Sequence, residues 1–229
     1  MPNCPKCGGE VREDAAFCPN CGNKLKPEPS GPEAPGKRSY TEHLTIGFNV
    51  ATQNPMVFVP TILAGLISSG ISWLGQGLPG LMPLLLALVA SIVSFLLSFA
   101  SLDMSRDAYN KQPLDLGGSV GYVAGRIVEF FVAAVVGGIM AVTIFLIPVV
   151  TLMFTIMVID ETGLTAAISK AFSVLGAELK DVIIILLVSI AGAIVVGYVP
   201  LVSGLLASAI NVVVGLAFID LYYNYKGSE

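Results

Sequence analysis

Four cysteines fall within the first 21 residues, as two C-P-x-C-G knuckles: Cys4-Pro5-Lys6-Cys7-Gly8 and Cys18-Pro19-Asn20-Cys21-Gly22. In each knuckle a tight turn brings two thiolates to one ion, and the glycine lets backbone amides close around the sulfur. Two knuckles supply the four sulfurs of a tetrahedral Zn²⁺ site. The predicted metal ligands are therefore Cys4, Cys7, Cys18 and Cys21, with a spacer, Gly9–Phe17, long enough for a β-hairpin. A catalytic zinc keeps an open position. Four cysteines leave none, so the reading is structural zinc, standing in for the core that so small a head cannot build.

A second set of candidates is acidic. Asp103, Asp160 and Asp220 each close a long apolar run, in Leu102-Asp103-Met104, Ile159-Asp160-Glu161 and Ile219-Asp220-Leu221. One reading gathers the three carboxylates around a pseudo-threefold axis at a cytoplasmic mouth, binding a cation or a basic segment. The other makes them ordinary polar residues at the water boundary, where such charge is cheap. A carboxylate at a helix C-terminus is unfavourable, so the first and third runs are expected to continue as helix through Tyr109 and Tyr225. Arg126 and Glu129 are spaced to pair at i,i+3, and Arg106 and Asp107 follow one turn after Asp103. His43, the single histidine, lies in an amphipathic stretch and is expected at its surface.

The elements that carry these residues are set by where charge is missing. Apolar residues make up 55 % of the 229 and charged ones 12 %, with a mean hydropathy of +0.81. No Asp, Glu, Lys or Arg occurs between Glu42 and Asp103, between Glu129 and Asp160, or between Asp181 and Asp220. A soluble amphipathic helix shows polar residues along its wet face, so these gaps mean lipid. Each gap holds two apolar runs joined by a proline-bearing turn: Met56–Gly75 with Leu81–Leu102, Ile127–Leu146 with Pro148–Ile159, and Val182–Val199 with Leu201–Ile219. The middle pair is the shortest.

A short amphipathic helix is predicted before each hairpin. Their apolar stripes are Leu44, Phe48 and Ala51; then Val120, Val123 and Ile127; then Leu164, Ile168, Phe172, Leu175 and Leu179 among others. The fold class is thus all-α: six transmembrane helices in three hairpins, plus a small N-terminal β module. The repeats run over 39–110, 114–162 and 163–226. Small residues in the spans, such as Gly65, Gly70, Gly137, Gly138, Gly192, Gly197 and Gly204, are expected to serve close helix packing.

Between head and membrane part, residues 27–38 alternate proline with polar residues and form a tether. The hairpin turns carry no Lys or Arg. Lys37, Arg38, Arg106, Lys111, Arg126, Lys170, Lys180 and Lys226 all lie before, between or after the hairpins. The positive-inside rule then places both termini in the cytoplasm of a multi-pass cell-membrane protein. That side is reducing and keeps thiols free for zinc. The polar start Met1-Pro2-Asn3-Cys4 is not that of a signal peptide. The net charge of −4 gives no case for nucleic acid, and no ionisable residue falls at the centre of a span, which disfavours a proton pump.

The two knuckles resemble the zinc-ribbon heads of many archaeal and bacterial membrane proteins, making residues 1–26 a zinc ribbon. Residues 39–226 resemble a widespread six-helix prokaryotic family, related in pattern to the membrane domain attached to some glycerophosphodiester phosphodiesterases. That likeness rests on Ala171-Phe172-Ser173, Leu179-Lys180-Asp181, the Pro200-Leu201 turn and Leu221-Tyr222-Tyr223. It brings no catalytic residues, so it implies a membrane module and no enzyme. Two functions are open. The first is an integral membrane scaffold or regulatory protein that presents its ribbon to protein partners. The second is a channel or transporter for a neutral or lipid-like solute.

Overall fold

The computed structural model describes residues 37–198 and 203–228; the head with its four cysteines, most of the tether and the Pro200 turn lie outside the described residues. Every element in the described part is helical. The first group is α1 (Tyr40–Gln53), a 3₁₀ turn Pro55–Phe58, α2 (Val59–Gly75) and α3 (Met82–Tyr109). The second is α4 (Leu116–Gly125), α5 (Ile127–Ala141), a 3₁₀ turn Ile144–Leu146 and α6 (Ile147–Ile159). The third is α7 (Leu164–Ala177), α8 (Leu179–Gly197) and α9 (Ser203–Lys226).

Local chemistry sets the boundaries. Pro sits in the first turn of α2, α3 and α6, where a missing N–H costs nothing. Asp115 caps α4 by accepting from the Gly117 amide at 3.0 Å. Ser39 begins α1 by donating its amide, at 2.7 Å, and its hydroxyl, at 3.0 Å, to Glu42 Oε2. As the sequence predicts, α3 and α9 run past Asp103 and Asp220.

Among the described residues four helices are long and apolar enough to cross a membrane: the stretch Pro55–Gly75, α3, α8 and α9. A fifth exists if α4 and α5, bent by 76°, count as one span. The middle pair is shorter: α5 has 15 residues and α6 has 13. At about 1.5 Å per residue these rise roughly 20 Å, against ~30 Å of hydrocarbon.

The centre of the described bundle is α3, α6 and α9, which touch one another in all three pairings. Each carries its hairpin partner on the outside: α2 on α3, α5 on α6, α8 on α9. The short helices pack on the same three. Helix α4 lies on α3, α7 lies on α6, and α1 lies on α9. The first amphipathic helix is thus docked on the last hairpin, which closes a ring that chain order leaves open. Phe99 of α3 joins the core to α5 and α6, with ring centroids 4.5 Å from Phe130 and 5.2 Å from Phe154.

The surface is the reverse of a water-soluble one. Leu66, Trp73, Leu81, Val128, Ile139, Val142 and Phe145 are exposed, the last by 90 %, while His43, Asp103 and Asp220 are buried. Such a distribution is stable only where the outer solvent is apolar.

The apolar stripes divide by residue size, and the expectation that the span glycines all serve close packing is corrected. Phe48, Phe172 and Leu179 are exposed, whereas the buried faces are His43, Gly47 and Ala51 on α1 and Ala167, Ala171 and Val174 on α7. In lipid a large side chain gains nothing by turning inward, so small residues take the helix contact. The same rule sorts the glycines. A methyl group on Gly47 would lie 2.6 Å from the Val213 carbonyl oxygen and 2.9 Å from the Ala217 nitrogen. Gly137 and Gly192 also meet neighbouring side chains, but Gly65, Gly70, Gly138, Gly197 and Gly204 face open space.

Candidate functional site

The three aspartates lie on the central helices or at their ends, and each is enclosed by its own set of partners. Asp220 on α9 is fully buried. Its Oδ1 accepts from Arg38 Nη1 and from the Tyr109 hydroxyl, both at 2.5 Å, and its Oδ2 lies 2.5 Å from His43 Nδ1. A carboxylate only accepts, so Nδ1 carries the proton that points at it. His43 itself is 1 % exposed, so the expectation of a surface imidazole is overturned. The ring is held in place because Gly47, one turn on, lets α1 sink against the α9 backbone.

Around Asp220 the segment that leads into α1 is stitched down. The Arg38 amide donates to Asn224 Oδ1 at 3.1 Å, and the Tyr40 amide donates to Asp181 Oδ1 at 3.0 Å. Asp181 stands in the first turn of α8, where negative charge is favoured. Lys37 donates to the last carbonyl of α7, Ala177, and lies 3.0 Å from Glu178 Oε2. That contact is one of charge, since Glu178 Oε2 has no aligned donor.

Asp160 follows the end of α6. It accepts from Lys170 on α7, from the Tyr222 hydroxyl at 2.6 Å and from Lys226 at 2.9 Å. The lysines are about half exposed, at 49 % and 53 %. Partial burial opposes ionisation of Asp160, but the hydrogen bonds from Lys170, Tyr222 and Lys226 outweigh it, and the carboxyl sits below its usual range.

Asp103 on α3 is 3 % exposed. Arg106, one turn along, brings Nη2 to 2.8 Å from Asp103 Oδ1, but out of line for a hydrogen bond. Ser119 of α4 stands beside the same carboxylate. Arg106 also pairs with Asp107 at 3.0 Å and donates to the Val158 carbonyl at 3.0 Å. Arg126 pairs with Glu129 at 2.7 Å, as its spacing predicts, and donates to Tyr122, Met157 O and Thr162 O. Two arginines thus cover the carbonyl end of α6, the place where a cation is favoured.

The Asp220 and Asp160 sites are joined in one collar. Tyr109 links α3 to Asp220 of α9, Tyr222 links α9 to Asp160 beyond α6, and Tyr109 stacks on Tyr223 with centroids 5.1 Å apart. Among the described residues no group of three His, Cys, Asp or Glu is placed to hold a metal ion. What periodicity did not give is the partners, Arg38, His43, Tyr109, Lys170, Tyr222 and Lys226. One signal was available: Tyr109 and Lys226 each lie six residues beyond an aspartate, Asp103 and Asp220, and each reaches the aspartate of a neighbouring central helix.

The head is defined by comparison. Residues 3–25 match the zinc-ribbon domain family. All four cysteines fall inside the match, and four thiolates at knuckle spacing suit a closed tetrahedral zinc. Cys4, Cys7, Cys18 and Cys21 are the residues that would hold it. No curated protein and no solved structure matches the chain, so the likeness of residues 39–226 to the phosphodiesterase-associated membrane domain gains no support from them. Ribbon and apolar helices together are compatible with a membrane protein bearing a zinc ribbon.

Proposed function

We propose that this protein is an integral membrane scaffold or regulatory protein that presents a structural zinc ribbon, residues 1–26, to cytoplasmic protein partners. One observation carries the reading: the foot of the tether is fixed. Lys37 and Arg38, the last two residues of the 27–38 linker, are held by Ala177, Glu178, Asp220 and Asn224. A presented module needs a fixed base and a flexible reach, and this arrangement supplies the base. The zinc acts as a staple for the ribbon fold, with no open position for chemistry.

In this reading residues 39–226 form six spans in three repeats, over 39–110, 114–162 and 163–226. The short middle pair is accommodated by local thinning of the bilayer. Collar and both termini lie in the cytoplasm of a cell membrane, supported by the cations gathered there: Lys37, Arg38, Arg106, Arg126, Lys170 and Lys226.

The test is capture of cross-linked partners by the full chain and by a chain lacking residues 1–26, with bound zinc measured in parallel. The full chain is expected to hold one zinc, and Cys4→Ser with Cys21→Ser to lose it together with the captured partners. Equal capture without the ribbon would sink the reading. A second reading, a channel or transporter for a neutral or lipid-like solute, is favoured by a cavity of about 430 Å³ among α2, α3, α6 and α9. It predicts solute flux through purified protein in vesicles that persists when the ribbon is removed.

A further inference from the structure

The cavity has a chemical bias that its size does not reveal. Six hydroxyls line it: Thr61, Ser98, Ser101, Ser105, Thr151 and Thr155. Each donates its proton to a backbone carbonyl: Thr61 to Phe58, Ser98 to Ser94, Ser101 to Val57, Ser105 to Ser101, Thr151 to Ile147 and Thr155 to Thr151, over 2.7–3.4 Å. A hydroxyl whose proton is committed offers only lone pairs. The six side chains therefore present acceptors and no donors.

The remaining polar group is Asn211 of α9, an exposed residue whose amide makes no hydrogen bond within the described residues. It has donors and an acceptor to offer, and in an apolar solvent it gains from a partner. No Asp, Glu, Lys, Arg or His lines the cavity; Phe99, Leu102, Val150 and Phe154 complete its wall. An uncharged wall excludes an ionised ligand. A wall of acceptors selects a donor. The apolar residues select a hydrocarbon neighbour for that donor.

We infer that this cavity binds the hydroxyl-bearing end of an uncharged lipid, a long-chain alcohol in its simplest form. The alcohol proton meets a lining hydroxyl oxygen or Asn211 Oδ1, and its oxygen accepts from Asn211 Nδ2. A volume of about 430 Å³ lies within the range of small-molecule sites. Binding needs no passage through the bundle, so the site is independent of both the scaffold and the transport readings.

The experiment uses the full chain in lipid nanodiscs and three photoreactive probes of equal chain length: a diazirine-bearing alcohol, its methyl ether and the corresponding carboxylate. Cross-linked residues are located by mass spectrometry. The alcohol is expected to label cavity residues about fivefold more than the ether, the ratio one hydrogen bond gives, and the carboxylate no more than the ether. Unlabelled hexadecanol should compete and glycerol should not.

Asn211→Leu should lower alcohol and ether labelling alike, since both oxygens accept from Asn211 Nδ2, while the alcohol keeps an advantage through the lining hydroxyl oxygens. Gly215→Ala, whose added methyl would have Leu102 Cδ1 at 3.9 Å as its nearest neighbour, should narrow the cavity and reduce labelling with the fold intact. Circular dichroism melts report folding, and if Asn211→Leu unfolds, the probe series and Gly215→Ala still decide. Equal labelling by alcohol and ether, labelling outside the cavity, absence of labelling, or competition by glycerol would overturn the assignment.

Discussion

Asp220 and Asp160 each follow the apolar run of a central helix, and each accepts from a tyrosine and from at least one cation. Their surroundings differ in depth. Asp220 is fully enclosed by His43, Tyr109 and an arginine that is one-third exposed. Asp160 is held by two lysines that keep about half their surface in solvent. The first is a lock. Its partners come from the segment entering α1, from α1 and from α3, so it holds α1 and the foot of the tether to the bundle. The second is a clasp between neighbours, α6, α7 and α9, whose lysines remain wet. One residue type at one kind of site thus does two jobs, and the depth of its partners decides which.

Removing the lock should cost most. Asp220→Ala leaves Arg38 and His43 beside an uncompensated cavity, and loss of one member of a buried charge pair is worth about 3–5 kcal/mol. Unfolding followed by steric trapping in bicelles should show that loss, while Asp160→Ala should lose no more than about half as much. Equal losses at both positions would erase the distinction.

Next is the approach that makes the lock possible. Gly47→Ala forces α1 away from the Val213 carbonyl and the Ala217 amide, an overpacking cost of about 1–3 kcal/mol. Because α1 carries His43, the variant should also raise hydrogen exchange along residues 40–53, which a purely local strain would not do. Tyr109→Phe removes one donor from Asp220 while His43 and Arg38 stay, so the expected loss is smaller, roughly 1.5 kcal/mol, again by steric trapping.

These differences mark what the sequence could carry. Several helix starts were legible because Pro punctuates the apolar runs, and the continuation of α3 and α9 past their aspartates follows from dipole chemistry. The docking of α1 on α9 was not. His43 and Asp220 are 177 residues apart, and periodicity reports a face, not its partner. Hydropathy marked the stripe of α1 but not which of its residues make the contact: Phe48 is 57 % exposed while Ala51 is buried, because in lipid the signal for contact is smallness. A histidine, a glycine and an alanine at i, i+4 and i+8 held that information. The zinc-ribbon head was legible at once, since the match over residues 3–25 follows knuckle spacing and needs no long-range fold.

The clasp at Asp160 should yield the smallest effect and the most specific one. Lys226→Met removes a half-exposed cation, worth at most about 1 kcal/mol, so neutral-pH stability should barely change. The acid limb should change. Asp160 is held below the ordinary carboxylate range, so its contribution is complete above the unfolded value of about 3.9 and is lost as pH falls through the lower folded value. Without Lys226 the folded value rises toward the unfolded one, and the available loss on acidification shrinks. Melting of the wild type and Lys226→Met between pH 7 and pH 3 should therefore give curves slightly apart at neutrality that converge in acid. Added salt at pH 7 should narrow the same gap, since the lysine is wet. Asp220→Ala should show no such salt effect. If the Lys226→Met gap survives in 1 M salt, Asp160 is a lock as well, and the distinction between the two carboxylates fails.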